Sequence, residues 1–285
     1  MIVPERVRAG NSFRVRSDKT KQKIEIEKER VMAEFSGKVA LVTGGGTGIG
    51  RAAALAFAGK GAKVVVAGRR RQEGEETVRL IEQQGQGGEA RFVQTDVTQE
   101  LEVKRLVETT VASFGRLDFA FNNAGNEGQP GPLTELSEEG WDQTIDTNLK
   151  GTWLSMKYEL RQMLKQGGGA IVNMASGAGH IGMANMVAYS AAKQGIVGLT
   201  RSAAVEYAKA GIRINSVSPG AILTSMPERV FGNLDNFRQT VGQFTPLGRV
   251  GEPEEVGQTA VWLCSEGASF LTGVDVPVDG GLIVS

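Results

Sequence analysis

The chain has 285 residues, with 32 Lys and Arg balanced by 32 Asp and Glu, 39 glycines, one histidine and one cysteine. That balance gives no support for a protein-wide attraction to nucleic acid or to a membrane, and a single cysteine, Cys264, excludes an internal disulfide and fits a reducing compartment such as the cytoplasm. No residue group has the spacing of metal ligands, and the length suits one continuous α/β domain with a sizeable core.

Residues 1–31 hold nine Lys or Arg against five Asp or Glu and carry neither a sustained apolar run nor a signal-peptide core. Their acidic residues speak against an organelle transit peptide. The segment reads as a disordered extension with Met32 as the functional start, so that residues 1–35 lie outside the fold and residues 36–285 form one domain. Apolar strand-like runs then recur at 39–43, 63–67, 117–121, 170–174, 212–217 and 274–278, with a weaker one at 91–94, and helical patterns separate most of them. This alternation predicts an α/β fold: a single doubly wound parallel sheet of Rossmann type, with helices on both faces and right-handed crossovers.

The first strand runs into Thr43-Gly44-Gly45-Gly46-Thr47-Gly48-Ile49-Gly50, and a helical pattern begins near Ile49. A strand, a tight turn and a helix start form a place where a pyrophosphate can sit on unsatisfied backbone N–H groups and a favourable helix dipole. Gly44 permits the turn, Gly48 lets backbone approach a phosphate, and Gly50 allows the helix to pack close to the strand. Further on, Glu135, Glu138, Glu139 and Asp142 favour a helix N-terminus near Trp141.

Ser176 follows the apolar strand ending at Met174, and thirteen residues later Tyr189 and Lys193 stand four apart in an alanine-rich helical segment. Tyr and Lys therefore share one helix face, and a hydroxyl at a strand's carboxyl end can converge with them on one crevice. A phenol with an ordinary pKa near 10 is a poor proton shuttle at neutral pH unless a cation favours its ionised form, a part open to Lys193.

Together these residues resemble the classical short-chain dehydrogenase/reductase family from about Gly37 to the C-terminus. The likeness rests on Gly44, Gly48 and Gly50; Asp96-Val97; Asn122-Asn123-Ala124-Gly125; Asn148; Ser176; Tyr189 with Lys193; and the run Pro219-Gly220-Ala221-Ile222-Leu223-Thr224. The resemblance implies hydride transfer between a nicotinamide cofactor and a carbonyl or secondary alcohol, and a homotetramer. It implies Tyr189 as general acid/base, Ser176 as the group that holds the substrate oxygen, and Lys193 as the residue that binds the nicotinamide ribose and lowers the tyrosine pKa. Asn148 would hold a water linking Lys193 to solvent, and Asp96 with Val97 would meet the adenine. Thr47, Ile49, Asn123, Ala124, Gly125, Pro219 and Gly220 would shape the cofactor cleft, while Ile222 and Thr224 orient the carboxamide.

Where an enzyme that uses NAD would carry an acidic residue after the second strand, this chain has Gly68 followed by Arg69, Arg70 and Arg71. A guanidinium binds a 2′-phosphate by paired, charge-assisted hydrogen bonds, which favours NADP(H) over NAD(H), with Arg69 the best single candidate. The other reading of the three arginines is a solvated helix start. His180 is open to a packing role or to substrate contact. Met183 and Met186, with Met226, Phe231, Phe237 and Phe244 in the stretch 225–246, would line an adaptable apolar substrate pocket. Two other functions compete: a sugar dehydrogenase using NAD(P), and a cofactor-binding redox sensor with little turnover.

Overall fold

The computed structural model describes residues 34–84, 88–224 and 234–285, side chains of residues 234–236 excepted. The extension up to residue 33, and Met226 and Phe231, lie outside the described residues. Seven strands form one sheet in the order β3-β2-β1-β4-β5-β6-β7. They are β1 (Val39–Thr43), β2 (Lys63–Gly68), β3 (Ala90–Gln94), β4 (Phe119–Asn122), β5 (Gly169–Met174), β6 (Ile212–Pro219) and β7 (Asp275–Val278), and every neighbouring pair is parallel. The helices are α1 (Gly48–Gly59), α2 (Arg71–Gln83), α3 (Glu100–Phe114), α4 (Glu138–Ile145), α5 (Gly151–Gln166), α6 (Val187–Tyr207), α7 (Leu234–Gly242) and α8 (Pro253–Cys264).

The doubly wound sheet follows from continuous apolar strands, because a parallel strand is covered on both faces. All five residues of β1 are buried. Val42, Val64, Phe121 and Val172 face α1 and α8, whose Phe57, Val256 and Val261 join the same core cluster. Leu41, Val65, Ala120 and Ile171 face the other way and pack with Leu106 of α3, Met156 and Leu160 of α5, and Ala204 of α6. The weak apolar run at 91–94 is the edge strand β3, which is buried on neither face as fully as β1.

Helix ends follow local chemistry. Ser137 caps α4 by accepting from the Gly140 N–H at 3.1 Å, with Glu138 and Glu139 in the first turn. Pro253 opens α8 behind a capping box between Glu252 and Glu255. At the start of the described residues Phe35, only 3% exposed, packs at a tilt against Phe119 with ring centroids 4.5 Å apart and joins the core of α1 and β4. Among the described residues no helix is long and apolar enough to cross a membrane.

Candidate active site

The strand order reverses between β1 and β4, and the crevice beyond the carboxyl ends of strands at such a switch point is the place where open α/β sheets bind ligands. Thr43 at the end of β1 fixes its width. Its hydroxyl accepts from the N–H of Asn123 (3.0 Å) and of Ala124 (3.1 Å), and the Asn123 amide returns bonds to the carbonyls of Thr43 and Gly44, both at 3.1 Å. Gly44 and Gly48 adopt φ of +63° and +52°, a region that disfavours other residues. A Cβ on Gly50 would lie 2.2 Å from the Gly44 carbonyl oxygen, so only glycine lets α1 start this close to the loop.

Thr47 is the N-cap of α1, but its side chain makes no capping bond and instead accepts from Arg70 Nη2 at 3.2 Å. The first-turn N–H groups of α1 therefore point into the crevice without a side-chain partner from their own cap. Arg51 stiffens the loop from behind by donating to the Gly46 carbonyl at 2.5 Å. Together these features make a cradle that an added Cβ would fill, with the dimensions and polarity that suit a dinucleotide pyrophosphate.

The crevice opens into a cleft of about 490 Å³ that collects the residues singled out from the sequence. Gly44, Thr47, Gly48, Ile49, Arg69, Asp96, Val97, Asn123, Ala124 and Gly125 line one end. Asn148, Ser176, Tyr189, Lys193, Pro219, Gly220, Ile222 and Thr224 line the rest. Gly50 is the exception in the loop and acts through packing, behind the lining. Arg70, one of the three arginines named from the sequence, also reaches the cleft, as do Glu73, Thr95 and Thr147, which the sequence did not point to. Arg70 is tied to Glu73 at 3.1 Å, and Arg71 turns outward to pair with Glu75 at 3.0 Å.

Asn148 sits in a single π-helical turn, Asp146–Lys150, between α4 and α5. Such bulges commonly mark functional positions. The bulge points the Asn148 side chain inward, where its amide donates to the Thr144 carbonyl at 2.9 Å and the Asn126 carbonyl at 3.1 Å while its oxygen accepts from the Asn126 N–H at 3.3 Å. Lys193, one turn along α6 from Tyr189, is 3% exposed and donates to the Met174 carbonyl at 2.9 Å. Burial pushes its ammonium down to about 7.

Lys193 Nζ lies over the Tyr189 ring, 5.5 Å from its centroid, within reach of a cation–π contact. The Tyr189 phenol is pushed above its ordinary range, chiefly by burial; a hydrogen bond with Ser176 opposes the shift and the Glu127 carboxylate adds to it. This direction is opposite to the lowering expected from Lys193, because burial is the largest influence on the phenol. Ser176 begins a short 3₁₀ turn, and its hydroxyl accepts from the Ala178 N–H at 3.2 Å.

Beyond Ser176 and Tyr189 the wall is apolar: Ala178, Ile181, Met183, Phe237, Val241 and Leu282. Met183 and Phe237 are where the sequence put them. Phe244 is 71% exposed and lies away from the cleft, as does Met186. His180 does not line the cleft either. Its ring turns away to Asp275 on β7, which favours the packing role over substrate contact. Among the described residues no group of His, Cys, Asp and Glu could hold a metal ion, and Cys264 is buried with its thiol pushed up to about 12, which leaves it without a nucleophile's ionisation.

The chain's relatives agree with this geometry. A family model described as enoyl-(acyl carrier protein) reductase matches residues 44–283. A 2,5-dichloro-2,5-cyclohexadiene-1,4-diol dehydrogenase of Sphingobium indicum is 44% identical over 251 residues, covering 88% of this chain and 98% of its own. A cyclohexanol dehydrogenase of an Acinetobacter species is 44% identical over 254 residues, with the same two coverages. The crystal structure of levodione reductase superposes with a TM-score of 0.85 at 37% identity, covering 88% of this chain and 99% of that one. With the glycine cradle, the Ser176, Tyr189 and Lys193 cluster and these likenesses together, the chain belongs to the short-chain dehydrogenase/reductase family and is an NAD(P)-dependent oxidoreductase acting on CH–OH groups.

Proposed function

We propose that the protein interconverts an uncharged alicyclic secondary alcohol and its ketone with NADP(H), using Tyr189 as general acid/base. The observation that carries this reading is the junction in one cleft of Ser176, Tyr189 and Lys193 with a wall of Ala178, Ile181, Met183, Phe237, Val241 and Leu282. Such a wall removes water from a hydrocarbon ring while the hydroxyls fix a single oxygen. Relatives whose names specify cyclohexanol and a cyclohexadiene diol support a six-membered ring. A sugar would leave its several hydroxyls without partners on that wall.

When bound, the nicotinamide gives or takes the hydride at the carbinol carbon. The chain supplies the rest. Ser176 donates a hydrogen bond to the substrate oxygen, and Tyr189 gives its phenolic proton to that oxygen in reduction or takes the hydroxyl proton in oxidation. A phenol held protonated by burial is the form that donates. Lys193 holds the nicotinamide ribose, and Asn148 keeps a water between Lys193 and solvent so that the proton can be replenished. Asp96 and Val97 receive the adenine, and Ile222 and Thr224 orient the carboxamide. Gly68 removes the carboxylate that would repel a 2′-phosphate, and Arg69 and Arg70 border the same end of the cleft. Exposed Trp153, Trp262 and Phe270 supply apolar surface for the homotetramer that family membership implies.

The test is NADPH consumption by purified protein on cyclohexanone, 4-oxocyclohexanecarboxylate, a 3-oxoacyl thioester and an oxidised sugar, with cofactor binding measured in the same sample. Turnover should be greatest on the uncharged ring. Tyr189→Phe should lower kcat by at least about 10²-fold with NADPH binding intact. Unchanged turnover in that variant removes Tyr189 from its role, and tight binding without turnover on every substrate favours a redox sensor.

A further inference from the structure

Outside the catalytic cluster, His180, Asp275, Ser216 and Ser218 form a tight group of ionisable and hydroxyl side chains that the reaction does not use. His180 Nε2 lies 2.6 Å from Asp275 Oδ2 on β7 and 3.2 Å from Ser218 Oγ on β6. The second oxygen of Asp275 accepts from the Ser216 hydroxyl, and Ser216 and Asp275 are paired in the register of β6 with β7. The Asp275 side chain is 2% exposed and that of His180 is 26% exposed. A carboxylate this deep requires its partners, so the group is a fixed joint. It is not a nucleophile relay: Ser218 and Asp275 meet the same ring nitrogen, whereas a relay needs them on opposite ones.

Its location gives the joint a consequence. His180 closes the 3₁₀ turn that starts at Ser176: its N–H donates to the Gly177 carbonyl at 2.9 Å, and the Ile181 N–H donates to the same oxygen at 3.1 Å. One short segment thus carries Ser176 at its start and the wall residues Ile181 and Met183 just beyond its end, and between them its side-chain anchor to the sheet is His180. Glycines at 177 and 179 leave the turn little stiffness of its own.

We propose that His180, held by Asp275 and Ser218, is a positioning residue for the reaction: it pins the catalytic-serine turn to β6 and β7 and so fixes both the Ser176 hydroxyl and the apolar wall against Tyr189. This rests on the function proposed above. Misplacing an orienting hydroxyl by a fraction of an ångström lowers kcat more than it changes ground-state binding.

The experiment compares wild type with His180→Ala, His180→Gln and the double variant His180→Ala/Asp275→Asn, using cyclohexanone and NADPH. Readouts are kcat, KM, NADPH affinity, melting temperature and amide hydrogen exchange across residues 176–183. The double variant removes the imidazole and the carboxylate together, so it separates loss of the clamp from the burden of an unpaired buried carboxylate. Expected are a fall in kcat of about tenfold in His180→Ala and in the double variant, with NADPH affinity unchanged, and faster exchange confined to 176–183. His180→Gln, which can still donate to Asp275, should recover most of kcat. Wild-type kcat in the double variant, unchanged exchange in 176–183, or a loss that follows the melting temperature and is not recovered by Gln overturns the clamp. A wild-type enzyme inert on every ketone of the panel refutes the functional reading instead, and the exchange measurement still decides whether the clamp exists.

Discussion

Two ionisable side chains are buried on neighbouring helices, and burial does opposite things for them. Lys193 on α6 lies at the wall of the cleft, with its ammonium pushed down to about 7. Glu159 on α5 has no exposed surface, is sealed behind the sheet, and has its carboxyl pushed up to about 8. Both shifts come chiefly from loss of water. Lys193 faces space that a ligand can fill. Glu159 faces an amide cluster: Asn122 donates to it at 3.0 Å and to Asn173 at 3.1 Å, and Asn173 donates to Thr200 at 2.9 Å. A perturbed pKa therefore marks a functional residue only when the group opens onto a site.

Replacing Lys193 should produce the largest effect. Lys193→Met should lower kcat on the order of 10²-fold, because the cleft loses the ribose donor and the cation beside Tyr189. The same variant should be more stable than wild type at low pH. The unfolded lysine keeps its proton up to about 10.5 and the folded one up to about 7, so between those values the unfolded state binds more protons and wild-type stability rises with pH. The advantage of Lys193→Met, measured by urea unfolding, should then be greatest at pH 6 and shrink toward pH 10. An advantage independent of pH would show that Lys193 is not titrating in the folded protein.

Glu159→Gln inverts that pattern. A carboxyl with a folded pKa of about 8 and an unfolded value near 4.5 gives the folded state the extra proton between them, so wild-type stability is full below about 4.5 and falls as pH rises through 8. The proton also supplies a donor where the cluster has two buried acceptors without partners, Glu159 Oε1 and Asn122 Oδ1. Glu159→Gln should match wild type near pH 5 and exceed it by on the order of 4 kcal/mol by pH 9, with kcat unchanged. A wild-type unfolding curve flat between pH 5 and 9 would contradict this account.

The same contrast explains what could be read from the sequence. Ser176, Tyr189, Lys193 and the glycine loop were legible because their chemistry depends on spacing within one strand, one turn or one helix face. The sheet was legible for a similar reason, since parallel strands are continuous apolar runs. Glu159 was not, because Lys157-Tyr158-Glu159-Leu160-Arg161 reads as a solvated helix face, and only the amides of β4 and β5 reveal that it points inward. Phe35 was missed as a lone aromatic in a charged stretch. His180 stayed open between two roles because sequence order places it near Ser176 but cannot tell which way the turn throws its ring. The role of Thr43 carries no local signal, since its partners Asn123 and Ala124 lie about eighty residues away.

Arg69 and Arg70 complete the contrast, as charges that stay in water where neither burial penalty applies. Their effects should accordingly be the smallest and most dependent on salt. Arg70 shares its charge with Glu73 at 3.1 Å and donates to Thr47 on the glycine loop, which any nicotinamide dinucleotide would meet. Arg69 borders the same end of the cleft and has no ion-pair partner among the described residues, which is the ground for assigning it the proposed 2′-phosphate contact. Arg69→Ala should weaken NADPH about tenfold more than NADH, an effect of one charge-assisted hydrogen bond. Arg70→Ala should weaken both cofactors by a similar, smaller factor. Fluorescence titration of each variant with each cofactor at two salt concentrations decides the matter. Equal losses for NADPH and NADH in Arg69→Ala, or a selective loss of NADPH in Arg70→Ala, would move the phosphate contact from Arg69 to its neighbour and show that the Glu73 pair opens when the cofactor binds.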